Sequence, residues 1–207
     1  MKNIIMFIVI ALMAAGIAFY FTHKSFVLGR VGMSFTNKPL AAEKTDSVGN
    51  VPKGGKRILV AYFSWGGNTR KLAQDIHKQV GGDIVEIRPV KPYPEGYKET
   101  VKVAKEEYAK ELLPAIEVAK LDMADYDTII LGYPIWYYRE PLVISQFLKQ
   151  HDLNGKTILP FATSGGSTIE ASIPYLEKYA PKAKVGEPLL ANDKTLVEPW
   201  LKRNKAL

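Results

Sequence analysis

The chain from residue 56 onward alternates between short apolar runs and longer amphipathic ones. The apolar runs are rich in β-branched residues and predict five strands, at residues 58–60, 83–87, 127–132, 156–162 and 184–185. Between them, apolar residues three or four apart predict helices, marked by Leu72, Ile76 and Val80; by Tyr97, Val101, Ala104, Tyr108 and Leu112; by Ile144, Phe147 and Leu148; by Ile169, Ile173 and Leu176; and by Leu196, Val197, Trp200 and Leu201. Three prolines complicate this pattern: Pro114 should end the second helix, Pro160 removes a donor from the fourth strand, and Pro199 must enter the last helix early.

Strands that alternate with helices predict an α/β fold, a doubly wound parallel sheet with helices on both faces. In such sheets ligands bind beyond the carboxyl ends of the strands, where the strand order reverses. We therefore expect the loops after the first, third and fourth strands to share one site. The first runs from Tyr62 to Thr69, the third-strand loop (133–139) is aromatic, and the fourth-strand loop (163–167) is rich in glycine and hydroxyl groups.

The loop after the first strand has the properties of an anion cradle. Glycines let the backbone approach a ligand closely, and the amide groups and dipole at the start of a helix favour negative charge. Ser64, Asn68 and Thr69 add short polar side chains. Neither the Walker A pattern nor the glycine pattern of a dinucleotide-binding turn occurs here, which favours a terminal phosphate monoester. The alternative is that Asn68 or Thr69 only caps the helix and the glycines only turn the chain.

The first 55 residues differ from the rest. Residues 4–21 form an uncharged run of 18 residues, long enough for a membrane-spanning helix and longer than the core of an ordinary signal peptide. We expect residues 1–24 to be a single-pass anchor in the cell membrane; small residues at 14–18 leave cleavage and secretion as the alternative. Residues 25–55 predict a flexible tether, and residues 56–207 one folded domain. A basic start before an apolar run favours a domain outside the membrane.

Charge and composition exclude several classes. The chain of 207 residues has a net charge of +7, of which residues 1–55 carry +4, so the folded domain lacks the concentrated charge of a nucleic-acid binder. It has no cysteine, and its three histidines lack ligand spacing, so we expect no metal site. We also find no group of residues that predicts acid–base or nucleophilic catalysis.

Three strings in order, YFSWGGNT, GYPIWYYREP and PFATSGGS, resemble those of short-chain flavodoxins, from about Lys56 to Trp200. The resemblance implies a five-stranded parallel sheet in the order 2-1-3-4-5 and FMN as the cofactor. It implies that the FMN phosphate is held by Ser64, Gly66, Gly67, Asn68 and Thr69, that the wall beside the isoalloxazine ring is formed by Pro134, Ile135, Trp136 and Tyr137, and that the ribityl chain and pyrimidine edge are lined by Thr163, Ser164, Gly165 and Gly166. Gly66 stands where the family usually has a threonine, so one hydroxyl donor is missing.

The functional hypotheses that follow are a membrane-tethered FMN electron carrier, an FMN-dependent NAD(P)H or quinone oxidoreductase, and a non-redox domain that has lost its flavin. The first needs a redox partner protein and the second a quinone or nicotinamide substrate. An alternative for Trp136, Tyr137 and Tyr138 is an exposed patch for a partner or an edge of the core. Arg139 is a cation that raises the flavin potential, a solvated surface residue, or a residue paired with a carboxylate such as Glu140.

Overall fold

Eight strands and five α-helices make up residues 57–207, the part of the chain that this computed structural model describes. The strands are β1 (Ile58–Tyr62), β2 (Asp83–Glu86), β3 (Arg88–Pro89), β4 (Ile116–Glu117), β5 (Thr128–Pro134), β6 (Thr157–Thr163), β7 (Lys184–Val185) and β8 (Leu189–Leu190). The helices are α1 (Asn68–Val80), α2 (Tyr97–Lys110), α3 (Leu142–Gln150), α4 (Ile173–Tyr179) and α5 (Val197–Arg203). Short 3₁₀ turns precede β5, α4 and α5.

The main sheet has the order β2-β1-β5-β6-β7, and all of its neighbouring strands are parallel. β1 and β5 pair with Leu59 opposite Ile129, and β5 and β6 pair with Ile130 opposite Leu159. β1, β2, β5, β6 and β7 are the five predicted strands, so the predicted order 2-1-3-4-5 is confirmed. The order reverses between β1 and β5, which places the expected ligand site at the carboxyl ends of these strands.

The fifth position of the sheet is divided between two short strands. β7 pairs with the first half of β6, and β8, which the sequence did not predict, pairs with the second half. Gly186 donates to the Ile158 carbonyl and Ala191 to the Ala162 carbonyl, so the even-numbered positions of β6 face this divided strand. Pro160 therefore faces the break between β7 and β8. Its missing N–H falls where the ladder is interrupted, which explains how an interior strand accommodates a proline.

Each face of the sheet has its own hydrophobic core, because successive residues of a strand point to opposite sides. On one side, Val60 and Ile130 pack with residues of α1 and α5. On the other, Leu59 and Ile129 pack with residues of α3 and α4. The predicted doubly wound arrangement is therefore confirmed.

The second predicted helix departs from its expected packing. α2 buries Thr100 and Ala104, whereas Tyr97 is 67% exposed. The helix ends at Lys110, and the residue that caps it, Glu111, has a left-handed backbone, so Pro114 does not end the helix. Leu112 lies beyond it and is 51% exposed. A small antiparallel pair of β3 and β4, also not predicted, brackets this helix. Of the five apolar markers of the helix, Ala104 alone is a core residue, whereas Val101 and Tyr108 are half-buried and Tyr97 and Leu112 are exposed.

The last helix accommodates its proline because Pro199 lies in the first turn of α5, where backbone amides have no intrahelical acceptor. Trp200 and Leu201 are buried as predicted, but Leu196 lies in the preceding 3₁₀ turn and is 47% exposed.

The predicted membrane segment and tether, residues 1–55, lie outside the described residues, and so does Lys56. Within residues 57–207 we find no helix that combines the length and the apolar character needed to cross a bilayer. The anchor at residues 4–21 remains a prediction.

Candidate functional site

The ends of three neighbouring strands bring the three predicted loops together. Phe63, just past β1, donates its amide to the carbonyl of Gly132 in β5 at 2.9 Å. Ile135, just past β5, donates to the carbonyl of Thr163 at the end of β6, also at 2.9 Å. These bonds extend the sheet ladder into the loops. The expectation that the loops after β1, β5 and β6 adjoin one another is therefore confirmed.

The loop after β1 leaves the N-terminus of α1 without a side-chain cap. Gly67 is the N-cap residue, with a φ of 87° that favours glycine, and no side chain of the described chain forms a capping hydrogen bond there. The interpretation of Asn68 or Thr69 as a simple cap is therefore wrong. The Ser64 hydroxyl instead accepts from the Gly67 amide at 3.1 Å, which holds the loop in a tight turn. The first amides of α1, which lack intrahelical acceptors, can serve an anion.

Space is available beside this loop. A methyl group added at Gly66 or Gly67 would meet no other heavy atom within 4 Å. Asn68 is exposed at the start of α1. The backbone of the loop at Gly66 and Gly67 is therefore accessible to a ligand.

Two threonines join the first loop to the end of β6. The hydroxyl groups of Thr69 and Thr163 lie 2.9 Å apart, within hydrogen-bond distance, although one comes from α1 and the other from β6. Thr69 is almost fully buried, so its hydroxyl is held in place by its surroundings. A pair of hydroxyls beside an uncapped helix end is a donor set suited to phosphate oxygens.

The loop after β6 is held by its own serine and by an asparagine that the sequence did not single out. The Ser164 hydroxyl accepts from the amides of Gly166 at 3.1 Å and Ser167 at 2.7 Å. The side chain of Asn192 accepts from the Ser164 amide at 3.2 Å and donates to the Ser164 carbonyl at 2.9 Å. The Gly166 amide, predicted to face the pyrimidine edge, is thus engaged within the loop. Asn192 escaped prediction because it follows the unpredicted strand β8.

An aromatic cluster lies between the first two loops. The Trp136 ring meets Phe63 edge-on, with centroids 5.7 Å apart, and meets Tyr93 edge-on at 5.0 Å. Trp65 lies in the first loop and donates its indole N–H to the Pro94 carbonyl at 2.9 Å. Trp136 is half-buried and so retains exposed surface beside the loops. Trp65, Phe63 and Tyr93 were not predicted for the site.

The other three residues of the predicted ring wall lie in two different places. Pro134 ends β5, and Ile135 packs against the core at the same strand end, next to Trp136. Tyr137 points elsewhere: its ring lies edge-on to Tyr108 of α2, with centroids 5.8 Å apart. The structure therefore gathers Pro134, Ile135 and Trp136 near the first loop but packs Tyr137 against α2.

Arg139 forms a buried ion pair with Glu140. Its guanidinium lies 3.1 Å from the Glu140 carboxylate, which also accepts from the Ser145 hydroxyl at 2.7 Å. Glu140 is fully buried, and this burial raises the pKa of its carboxyl group although Arg139 opposes the shift. Of the three interpretations of Arg139, pairing with a carboxylate is the one observed, and its burial contradicts a solvated surface residue. Its charge is compensated within the protein, so it is not a free cation directed at a flavin.

The fold and loops define a flavodoxin-like α/β protein, and comparison with known proteins gives the family. A family model described as flavodoxin matches residues 57–204, so the chain belongs to the flavodoxin family. A flavodoxin from Haemophilus influenzae is 29% identical over 79 residues, covering 38% of this chain but 31% of that protein. The chain thus matches about a third of the length of this curated relative.

Solved structures extend the comparison over the whole domain. A protein described as a flavoprotein from Bacteroides uniformis is 33% identical, with a TM-score of 0.65, covering 72% of this chain and 99% of its own. One from Bacteroides eggerthii is 37% identical, with a TM-score of 0.62, covering 70% and 96%. A flavoprotein from Lactobacillus acidophilus, solved in complex with FMN, is 23% identical, with a TM-score of 0.63, covering 70% and 99%. The last likeness concerns the fold alone.

Proposed function

We propose that the protein binds FMN and acts as an electron carrier. The observation that carries this proposal is the uncapped start of α1 beside the paired hydroxyls of Thr69 and Thr163. A single phosphate cradle of this kind suits a mononucleotide, and the sequence lacks the G-x-G-x-x-G pattern of a turn that binds a pyrophosphate. Membership of the flavodoxin family supports the same cofactor.

The residues present fit the three parts of FMN. The open backbone at Gly66 and Gly67, with the first amides of α1, would hold the phosphate. The half-buried face of Trp136 would contact the isoalloxazine ring, since aromatic faces stack on flat rings. The loop from Thr163 to Gly166 would line the ribityl chain. When bound, FMN supplies reversible electron and hydride chemistry, and the protein supplies position and electrostatics.

Binding should favour FMN over FAD. Titration of the purified protein, followed by quenching of flavin fluorescence, measures both dissociation constants. Thr69→Val is expected to weaken FMN binding, because it removes a hydroxyl but keeps the side-chain volume; Thr195→Val, a change in an exposed turn that precedes α5, serves as the matched control. FAD binding as tight as FMN binding contradicts the proposed cradle. A protein that binds neither flavin supports instead a non-redox domain.

One measurement distinguishes an electron carrier from an FMN-dependent oxidoreductase. A carrier accepts electrons from a protein partner, whereas an oxidoreductase accepts a hydride from NADH or NADPH without one. We expect the FMN-loaded protein to keep its visible absorbance when either nucleotide is added without air. Rapid bleaching, with turnover of an added quinone, contradicts the carrier and supports the enzyme.

We further propose that residues 4–21 anchor the protein in the cell membrane and that residues 25–55 tether the domain on the outer side. The length of the uncharged run supports an anchor, and a tether would let the domain reach a membrane-embedded redox partner. Mass spectrometry of the native protein should find the N-terminus intact; a new N-terminus after about Ala18 or near Ala42 indicates cleavage and secretion. A reporter active on only one side of the membrane, fused to Leu207, tests the orientation.

A further inference from the structure

A strained two-residue hairpin forms the tip of the loop after β5. Trp136 and Arg139 exchange backbone hydrogen bonds of 2.9 and 3.0 Å. Between them, Tyr137 and Tyr138 have φ values of 49° and 65°. Two positive φ values are the pattern of the primed hairpin turns, which normally carry asparagine and glycine because bulky side chains are strained there. The turn instead carries two tyrosines and leaves Tyr138 63% exposed.

A buried cluster holds this hairpin in place. The Arg139 guanidinium lies over the ring of Tyr175 in α4, 3.7 Å from its centroid, and 5.1 Å from that of Tyr108 in α2. The Tyr108 hydroxyl donates to the Glu140 carbonyl at 3.0 Å. Backbone strain persists only where the surroundings enforce it, and it is concentrated at functional sites. The hairpin thus presents an exposed tyrosine at its tip, while the side chains of Tyr137 and Arg139 on either side are held by contacts with α2 and α4.

Lysines of α2 border the hairpin. Lys98, Lys102 and Lys105 are exposed and lie four and three residues apart, which places them on one face of the helix, within an arc of about 60°. The Lys105 ammonium group is 5.8 Å from the centroid of the Tyr137 ring, so this face adjoins the hairpin. Glu99 and Glu106 lie farther round the helix, on the side away from Val101 and Tyr108.

We propose that these residues form a docking surface for an acidic redox partner protein. The α2–hairpin surface, as we call it, consists of Tyr97, Lys98, Lys102, Lys105 and Tyr138. Exposed tyrosines are typical of interface hot spots, and lysines attract a negatively charged partner and speed its association. Trp136 begins the hairpin and packs on Phe63 at the end of β1, so a docked partner would lie beside the candidate flavin site. The inference rests on the proposed electron-carrier function.

A protein suits this surface better than an anionic bilayer. A bilayer would contact a broad surface that also presents Glu95, just before α2, and Glu99 in its first turn, both exposed, and would be repelled by them. A folded partner can match the lysines and the tyrosines individually. A tyrosine also loses little conformational freedom when it is buried in an interface, because its side chain has only two torsion angles.

The test uses one haem protein in two forms that differ in net charge. Cytochrome c is basic, and succinylation of its lysines makes it acidic. The full-length protein is loaded with FMN, reduced with dithionite and mixed with either form in a stopped-flow instrument without air. Each electron that leaves the reduced flavin converts one ferric haem to ferrous, and the flavin protons go to solvent. Wild type should reduce the acidic form at least about tenfold faster than the basic form at low salt, a preference that high salt removes.

Two variants test the surface itself. Reversal of its charge by the triple substitution K98E/K102E/K105E should lower the rate with acidic cytochrome about tenfold or more and raise it with the basic form. The control K149E/K182E/K184E changes net charge equally, but these exposed lysines lie near the end of α3 and at the start of β7, away from the hairpin. It should alter the rates much less. Y97A/Y138A should slow the acidic cytochrome at low and high salt alike, since it removes apolar contact rather than charge.

Each outcome distinguishes docking from the carrier function. Uncharged benzoquinone measures electron release without a docking surface, and all variants should reduce it at the wild-type rate. If wild type binds no FMN or releases no electrons to benzoquinone, the proposed function is wrong. If these controls hold but the lysine reversal slows the acidic cytochrome no more than the control does, the docking surface is wrong. It is likewise wrong if that reversal leaves cytochrome rates unchanged and only weakens binding to phosphatidylglycerol vesicles.

Discussion

Two tryptophans, one at the candidate site and one in the core, provide the sharpest test of the FMN assignment. Trp136 is half-buried on the face of the sheet that packs with α3 and α4. Trp200 is fully buried on the opposite face, and its indole N–H donates to the Glu187 carbonyl at 2.7 Å. We expect Trp136→Ala to weaken flavin binding as well as stability, and Trp200→Ala to lower stability alone.

The magnitude for Trp136 follows from its ring contacts. Stacking of an aromatic face on a flat ring is worth about 0.5–1.5 kcal/mol beyond area burial, so its loss should raise the Kd for FMN about two- to thirteen-fold. The two edge-on contacts with Phe63 and Tyr93, at a similar energy each, should lower the free energy of unfolding by about 1–3 kcal/mol. The flavin absorbance maximum and the reduction potential should shift as well, because the ring loses an aromatic neighbour.

The magnitude for Trp200 follows from its complete burial. Truncation of a buried tryptophan to alanine costs about 3–5 kcal/mol, and the Glu187 carbonyl also loses its indole donor. For a domain of this size the melting temperature should fall by roughly 10 °C. The Kd for FMN, measured on folded protein at low temperature, should not change, since Trp200 lies on the other face of the sheet.

The assay combines flavin fluorescence titration, a redox titration and urea unfolding for each variant. Trp136→Phe is the matched control, because it keeps an aromatic face and should recover most of the FMN affinity. If Trp136→Ala leaves both Kd and potential unchanged, the assignment of Trp136 to the flavin wall is wrong. If Trp200→Ala weakens FMN binding as much as Trp136→Ala, global destabilisation explains both effects and the stacking argument is refuted.

Three further predictions concern the loops and the fold. Asn192→Ala removes two hydrogen bonds to the loop after β6, worth about 1 kcal/mol in total, and should weaken FMN binding about fivefold; unchanged affinity in a fluorescence titration means that the loop needs no such support. Burial raises the pKa of Glu140, so the folded state holds this proton more tightly than the unfolded state. The stability of wild type relative to Glu140→Gln should therefore fall as pH rises above the ordinary glutamate pKa, and a difference that is constant with pH in urea titrations refutes this. A methyl group at Gly82 would clash with the Ile58 carbonyl, whereas one at Gly155 meets open space at a similar positive φ. Gly82→Ala should therefore lower the free energy of unfolding in urea by about 1–3 kcal/mol more than Gly155→Ala does. Equal losses for the two variants would mean that backbone strain alone destabilises both and that the clash contributes nothing.

Local sequence patterns determined the order of the main elements and the position of the candidate site. Apolar runs with β-branched residues predict β1, β5 and β6, and apolar spacing of three and four predicts α1, because these patterns reflect burial on one or both sides. Once the strands are parallel, the loops at 62–69, 133–139 and 163–167 must meet at one edge. The resemblance of the three strings to flavodoxins led to the family that the comparisons confirm.

Contacts between distant segments were decided only by the tertiary structure. Nothing local shows that Pro160 would face a break in the neighbouring strand, that Asn192 would bond to Ser164, or that Tyr137 would turn toward α2. The sequence left three interpretations of Arg139 open, and only the packing of α2 and α4, which bury it beside two tyrosine rings and Glu140, decides between them. Sequence periodicity reports whether a position is buried, whereas the partner that buries it depends on how segments far apart in the chain pack together.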